Sequence, residues 1–235
     1  MMCDAELWHF QIEAFAAGRR VTCVDFGAAA SVAGMAGRAL RTMERLAPAG
    51  EPVAVVGLSM GAIVAFELWR RAPERIAALA LLNTNHRADA PARRIARDRQ
   101  IDEARAGHLY WLLRDELKPA YPGVAEPGGQ LMDRAMAMGL RLGPEVFVAQ
   151  SQALRDRPDS RATLPTISCP ALVLCGSGDR LCPVRRHEEM AAAIPDARLV
   201  VLNGCGHLST LEQPAAVNTA LASWLDRIPA CDADT

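Results

Sequence analysis

The sequence predicts an α/β protein whose mainly parallel sheet carries helices on both faces. Two observations carry that expectation. Short runs of β-branched and apolar residues alternate with segments of helical periodicity, which calls for strand–helix–strand units and a parallel sheet. The chain of 235 residues, 51% hydrophobic and 23% charged, is long enough to bury one sizeable core without requiring a second domain.

Taken in order, Asp4 is placed to cap a first helix that presents Leu7, Trp8, Ile12 and Phe15 on one face. Val21 to Asp25 reads as a strand, 31–46 as a helix, 53–58 as a strand, 60–71 as a helix and 76–82 as a strand. The alternation then stops. From Asn83 to about Leu164 only Arg-, Ala- and Glu-rich helical stretches follow, broken by Pro119, Pro122, Pro127, Gly128-Gly129 and Gly143-Pro144. It resumes with a strand at 171–175, a helix at 184–193, a strand at 198–202 and a helix at 214–227, and the last residues, Cys231 to Thr235, are expected to fray. Residues 1–83 and 165–235 are therefore expected to form one core, with 84–164 inserted as a helical lid.

Composition narrows the function classes. With 26 basic and 27 acidic residues, a formal net charge of −1, there is no electrostatic case for nucleic acid or an anionic membrane as partner. Arg93, Arg94, Arg97 and Arg99 interleave with Asp89, Asp98 and Asp102, the pattern of a solvated helix face. No apolar run approaches the ~20 residues of a membrane span, and acidic residues at the start are unlike a signal peptide, so a cytoplasmic location is expected. The seven cysteines, Cys3, Cys23, Cys169, Cys175, Cys182, Cys205 and Cys231, include no paired C-x-x-C and are expected to be reduced thiols. Cys175, Cys182 and Cys205 fall close to Asp179 and His207 in sequence, but their spacing matches no zinc pattern, and no metal is expected.

The most informative stretch is Gly57-Leu58-Ser59-Met60-Gly61, which closes the apolar run Val53-Ala54-Val55-Val56 and opens a helical one. A G-x-S-x-G in that context places the serine on a tight strand-to-helix turn, with its hydroxyl clear of the sheet. Two further polar residues follow strand ends: Asp179, after Ala171 to Cys175 and Gly176-Ser177-Gly178, and His207, after Arg198 to Leu202 and Asn203-Gly204-Cys205-Gly206. In a parallel sheet the carboxyl ends of the strands share one edge. A serine is a weak nucleophile that needs a base, a histidine titrates near neutrality, and a carboxylate can orient that histidine. Asp156 and Asp159 compete for the acid role without following a strand. His9, His86, His108 and His187 read as surface or packing residues.

The order Ser59, Asp179, His207, together with Val53 to Arg71, Leu164 to Pro183 and the loop Gly206-His207-Leu208-Ser209-Thr210-Leu211-Glu212-Gln213-Pro214, resembles the α/β-hydrolase fold of the single-domain esterase, lactonase and acyltransferase type. The resemblance implies a serine hydrolase of a small carboxylic ester, thioester or lactone. In it Ser59, His207 and Asp179 form the triad, the Met60 backbone N–H is one oxyanion donor, and no cofactor is needed. Acyl transfer through the same triad, or a non-catalytic, N-terminally shortened homologue lacking half of the oxyanion hole, are the alternatives. The resemblance also implies an early strand and its Gly-containing oxyanion loop, for which this sequence has no segment. That strand belongs between 21–25 and 53–58. Its absence is expected to leave a sheet edge that the chain must close, leave open at a cost in folding, or fill from a second copy, so homo-oligomerisation is one outcome.

Overall fold

The protein is described here from a computed structural model, which covers residues 1–48, 50–123 and 129–228. Four strands, β1 (Val53–Leu58), β2 (Ile76–Leu82), β3 (Ala171–Gly176) and β4 (Ala197–Leu202), pair in parallel in the order β1-β2-β3-β4. Parallel strands covered on both faces must be apolar throughout rather than alternating. Accordingly, β3 is buried at every position and β2 at all but Ala77. At the edge, β4 leaves Leu199 and Val201 exposed.

The pleat divides β2 between two cores. Leu79 and Leu81 pack with α2 (Val32–Leu46), α3 (Met60–Arg71) and α6 (Val184–Ala193), through Met35, Phe66 and Met190 among others. Ala78, Ala80 and Leu82 face α1 (His9–Phe15) and α7 (Pro214–Leu225), where Val217, Leu221 and Trp224 close the second core. The helix ends follow their local chemistry. Asp4 accepts the Glu6 N–H at the first 3₁₀ turn, Ser31 accepts the Gly34 N–H at the start of α2, and Pro214 opens α7 at a position whose N–H no helix uses.

Between β2 and β3 lie α4 (Pro91–Arg105), a short run of turns at 109–120, and α5 (Gln130–Arg155). Gly143, at φ +77°, breaks α5 just before Pro144, at the position the sequence marks. The apolar side chains of this segment divide: Leu112, Leu113 and Phe147 share a cluster with Met2 and Ala104, Tyr121, Leu131 and Met138 join the second core, and Trp111 and Leu140 are exposed. The basic run of α4 is only partly a solvated face. Arg97 is buried against Asp89, which also pairs with the buried Arg157. Pro127, Gly128 and the Cys231 to Thr235 end lie outside the described residues. No helix among the described residues is long and apolar enough to cross a membrane.

The expected strand at Val21–Asp25 is not one. The segment joins no sheet, and among the described residues β1 pairs on one side only, with β2. Between β1 and residues 22–26 runs a cavity of about 590 Å³, walled also by Leu7, Trp8 and Phe15. The apolar, β-branched pattern of 21–24 specifies extended backbone. A strand further requires a ladder partner at about 4.7–4.9 Å, and here a cavity stands in that place.

Because β2 has a neighbour on each side and β1 has one, amide protection should differ along them. In native-state hydrogen exchange the amides of β2 from Leu79 to Leu82, flanked on both sides, should all be protected. Those of β1 should alternate, with every second amide exchanging orders of magnitude faster. Uniform protection of Val53 to Leu58 would contradict the open edge.

Candidate active site

The turn after β1 brings Ser59 to the carboxyl edge of the sheet with φ +53° and ψ −110°, a backbone state that a non-glycine residue keeps only when its surroundings hold it. Three hydrogen bonds hold it. The Ser59 N–H donates to Leu82 O at 2.8 Å. The Ser59 carbonyl accepts from Ile63 N–H at 3.2 Å and from Thr84 Oγ1 at 2.8 Å. The two motif glycines are not equivalent. A Cβ on Gly57 would overlap the backbone of Gly61 and Ala62, whereas one on Gly61 would meet open space. Close approach is therefore required at the first glycine alone.

His207 Nε2 lies 3.0 Å from Ser59 Oγ, and His207 Nδ1 lies 2.9 Å from Asp179 Oδ2. His207 and Asp179 are 2% and 4% exposed. Burial alone would raise the Asp179 carboxyl. Its hydrogen bond and charge interaction with His207, together with hydrogen bonds from Asn83 and from the Cys182 N–H, outweigh burial and hold it below the usual carboxylate range. The competing acids sit elsewhere, Asp156 on Arg94 and Arg155, and Asp159 on Arg161. Met60 opens α3, so its N–H has no partner within the helix and stands beside Ser59. Met60, His207 and Tyr121 line the cavity that runs along β1. Of the apolar residues of the inserted segment, Tyr121 and Leu142 reach that cavity.

Several residues around the site carry no motif of their own. Asn83 donates through Nδ2 to Asp179 Oδ2 and to Gly206 O, each at 3.0 Å. His207 N–H donates to Tyr121 O at 2.7 Å, and the two rings are 5.3 Å apart. The Glu212 carboxylate accepts from Gly206 N–H, Gly123 N–H and Leu208 N–H, gathering the histidine loop and residues 121–123 onto one group. His187, expected as a packing residue, is fully buried, and its Nε2 accepts the Thr84 N–H at 2.9 Å. Of these, Glu212 had a signal in the histidine-loop motif. The others depend on contacts between residues about a hundred positions apart.

Cys182 does approach the site: Asp179, Cys182 and His207 present ligand-type atoms within 4.8 Å of one another. The chemistry is a poor one for a metal. Burial pushes the Cys182 thiol up, away from the thiolate that would bind. The Asp179 oxygens and His207 Nδ1 are already engaged with each other and with Asn83, Leu181 and Cys182. Burial likewise pushes Cys175 and Cys205 up to about 12.

Two outcomes follow from this geometry. Gly57→Ala should cost at least about 3 kcal/mol or prevent folding, because backbone rather than a flexible side chain stands in the way. Gly61→Ala should be neutral or stabilising by up to about 1 kcal/mol, since alanine is the better helix former. Chemical denaturation of both variants decides it, and equal costs would refute the asymmetry. The second outcome concerns pH. Burial lowers His187 to about 4, so the folded state keeps it neutral while the unfolded state takes up a proton below about 6.5. The resulting loss of stability develops as pH falls from about 6.5 to about 4, at up to about 1.4 kcal/mol per pH unit. His187→Gln keeps an acceptor for Thr84 and should flatten that slope in denaturation curves taken from pH 7 to pH 4. An unchanged slope would assign it to other groups.

Comparison with known proteins places this geometry. The model of the alpha/beta hydrolase family matches residues 3–220. Among solved structures, a thermophilic esterase from Thermogutta terrifontis with malate bound superposes with a TM-score of 0.86 at 29% identity, over 96% of this chain and 86% of that one. BpoC of Mycobacterium tuberculosis, named for a non-heme bromoperoxidase, is 28% identical over 194 residues, 76% of this chain and 70% of its own length. RutD of Escherichia coli O7:K1, named for carbamate hydrolysis, is 28% identical over 177 residues, 74% of this chain and 66% of its own length. A family match over nearly the whole chain, on a parallel sheet with a serine at its elbow, shows that this protein is a hydrolytic enzyme belonging to the alpha/beta hydrolase family.

Proposed function

We propose that the protein is a serine hydrolase that cleaves a small carboxylic ester, thioester or lactone through an acyl-enzyme. The observation that carries this reading is the continuous relay from Ser59 Oγ to His207 Nε2 at 3.0 Å and from His207 Nδ1 to Asp179 Oδ2 at 2.9 Å. In the first half-reaction Ser59 Oγ bonds to the substrate carbonyl carbon as His207 Nε2 takes its proton. Asp179 fixes the tautomer and stabilises the imidazolium. The Met60 N–H meets the oxygen on which negative charge develops. The imidazolium then protonates the leaving alcohol, thiol or ring oxygen as its bond to carbon breaks. Water, deprotonated by His207, releases the acid and returns the serine. Acyl transfer would use the same atoms, with an acceptor alcohol or amine in place of water. In this reading residues 84–164 act as a lid, with Tyr121 as its contact to the base.

Names borne by similar proteins support hydrolysis of acyl compounds without fixing one substrate: an esterase at 29% identity and a carbamate hydrolase at 28%. The apolar walls of the cavity beside Met60 and His207 suit a substrate whose acyl part is uncharged.

Ser59→Ala should abolish turnover of short p-nitrophenyl esters and labelling by a fluorophosphonate, with the thermal melt unchanged. Asp179→Asn should lower turnover by about 10⁴-fold, by analogy with serine proteases. Absence of both labelling and turnover in the wild-type chain would favour a non-catalytic relative. A larger loss in Asp156→Asn or Asp159→Asn would move the acid.

A further inference from the structure

The two residues that follow β2 reach all three turns and loops that carry the proposed relay. Asn83 is fully buried and has φ +46°, a left-handed conformation that asparagine tolerates better than most residues. This bend turns its side chain between two loops. One amide hydrogen goes to Asp179 Oδ2 and the other to Gly206 O, the residue before the base. The amide oxygen accepts from Ser209 Oγ at 2.6 Å. That contact leaves the NH₂ group facing the carboxylate and the carbonyl, so the orientation of the amide is set by its partners. The Asn83 N–H donates to Leu174 O of β3. Next along the chain, Thr84 Oγ1 donates to Ser59 O, and the Thr84 N–H donates to His187 Nε2 on α6. Two adjacent residues thus reach the nucleophile turn, the acid loop and the base loop, none of which is near them in sequence.

The acid shows what this arrangement does. Asp179 Oδ1 is held by the N–H groups of Leu181 and Cys182, while Oδ2 is shared by His207 Nδ1 and Asn83 Nδ2. Without the Asn83 donor, Oδ2 keeps its bond to His207 but loses the contact that fixes the carboxylate plane from the other side. The Gly206 carbonyl is released at the same time. On the nucleophile side, Thr84 supplies one of the two donors to a carbonyl whose residue sits in a disfavoured backbone state. A displacement on the order of 1 Å between reacting groups can cost about 10²-fold in rate.

We infer that Asn83 and Thr84 are positioning residues that hold the acid and base loops in register with the nucleophile turn. This inference rests on the proposed serine-hydrolase reading. Neither residue touches the reacting atoms, and their effect passes through Asp179, His207 and Ser59. They should set the chemical step and leave substrate binding nearly unchanged.

The test uses variants that conserve shape. Asn83→Asp keeps the volume, the tolerance of a left-handed φ and an oxygen for Ser209; it has at most one proton to donate, so Gly206 O or Asp179 Oδ2 loses its partner, and where it is ionised it sets a second carboxylate against Asp179. With the folded fraction fixed by circular dichroism, kcat should fall at least about 10-fold while KM stays within about 2-fold. The low-field imidazole N–H proton resonance of His207, read by NMR without substrate, should shift or vanish. If Asn83→Asp does not fold, Ser209→Ala reads the same amide by removing the bond that orients it, and it should lower kcat and broaden that resonance. Thr84→Val should lower kcat several-fold, and Thr84→Ser, which restores the hydroxyl, should recover it. Unchanged kcat and resonance in folded Asn83→Asp, or in Ser209→Ala, would overturn the role of Asn83. Failure of Thr84→Ser to recover what Thr84→Val loses would overturn that of Thr84. If Ser59-dependent turnover is absent but the resonance is present in wild type and lost in Asn83→Asp, the positioning role stands and the reaction assignment fails.

Discussion

A serine held at φ +53° is the constraint on which the site depends. That backbone state costs on the order of 1–3 kcal/mol and survives only because the strand alongside supplies partners for it. Leu82 O takes the Ser59 N–H, and Thr84 returns a hydroxyl donor to the Ser59 carbonyl. Ser59 sits at the end of β1, but its conformation is fixed from the end of β2. This matters more here than in a sheet where the strand before such a serine has two neighbours, because β1 meets a cavity on its other side.

The second demand is a buried negative charge. Asp179 is almost without solvent, and a carboxylate removed from water is tolerated only when its oxygens are fully served. Four donors serve it, and two of them are backbone N–H groups of its own loop. Those local bonds shape the loop whether or not a histidine is present, so the acid is preorganised. Aligning it on His207 then falls to contacts from other strands. The site thus separates holding the charge in place from aiming it.

Most of the sheet could be read from the chain because burial on both faces leaves a local mark. The apolar runs at 53–58, 76–82, 171–175 and 198–202 became strands within a residue of their expected ends. That Ser59, Asp179 and His207 meet was legible for a related reason, since a polar residue just beyond a buried strand in a parallel sheet has one edge to go to. Val21 to Asp25 carried the same local mark without the outcome, because a strand is a property of two segments and no described segment pairs with it. Asn83, Thr84 and His187 were illegible in a different way. Each looks ordinary in sequence, and each matters through partners 25 to 126 positions away. Arg97 belongs with them: it reads as one charge among many on a helix face, and pairing with Asp89 takes it inside.

The Glu212 carboxylate ties the inserted segment to the histidine loop. It accepts from Gly206 beside His207 and from Gly123 in the inserted segment, while Tyr121 O accepts the backbone N–H of His207 itself. The inserted segment and the histidine are therefore one mechanical unit at this point. Residues 121–123 cannot swing outward without either dragging the imidazole from the serine or giving up these bonds to water. An opening on that side would part His207 from Ser59 for as long as it lasts, and closing would bring them together again. A passage running instead along β1 would leave His207 in place.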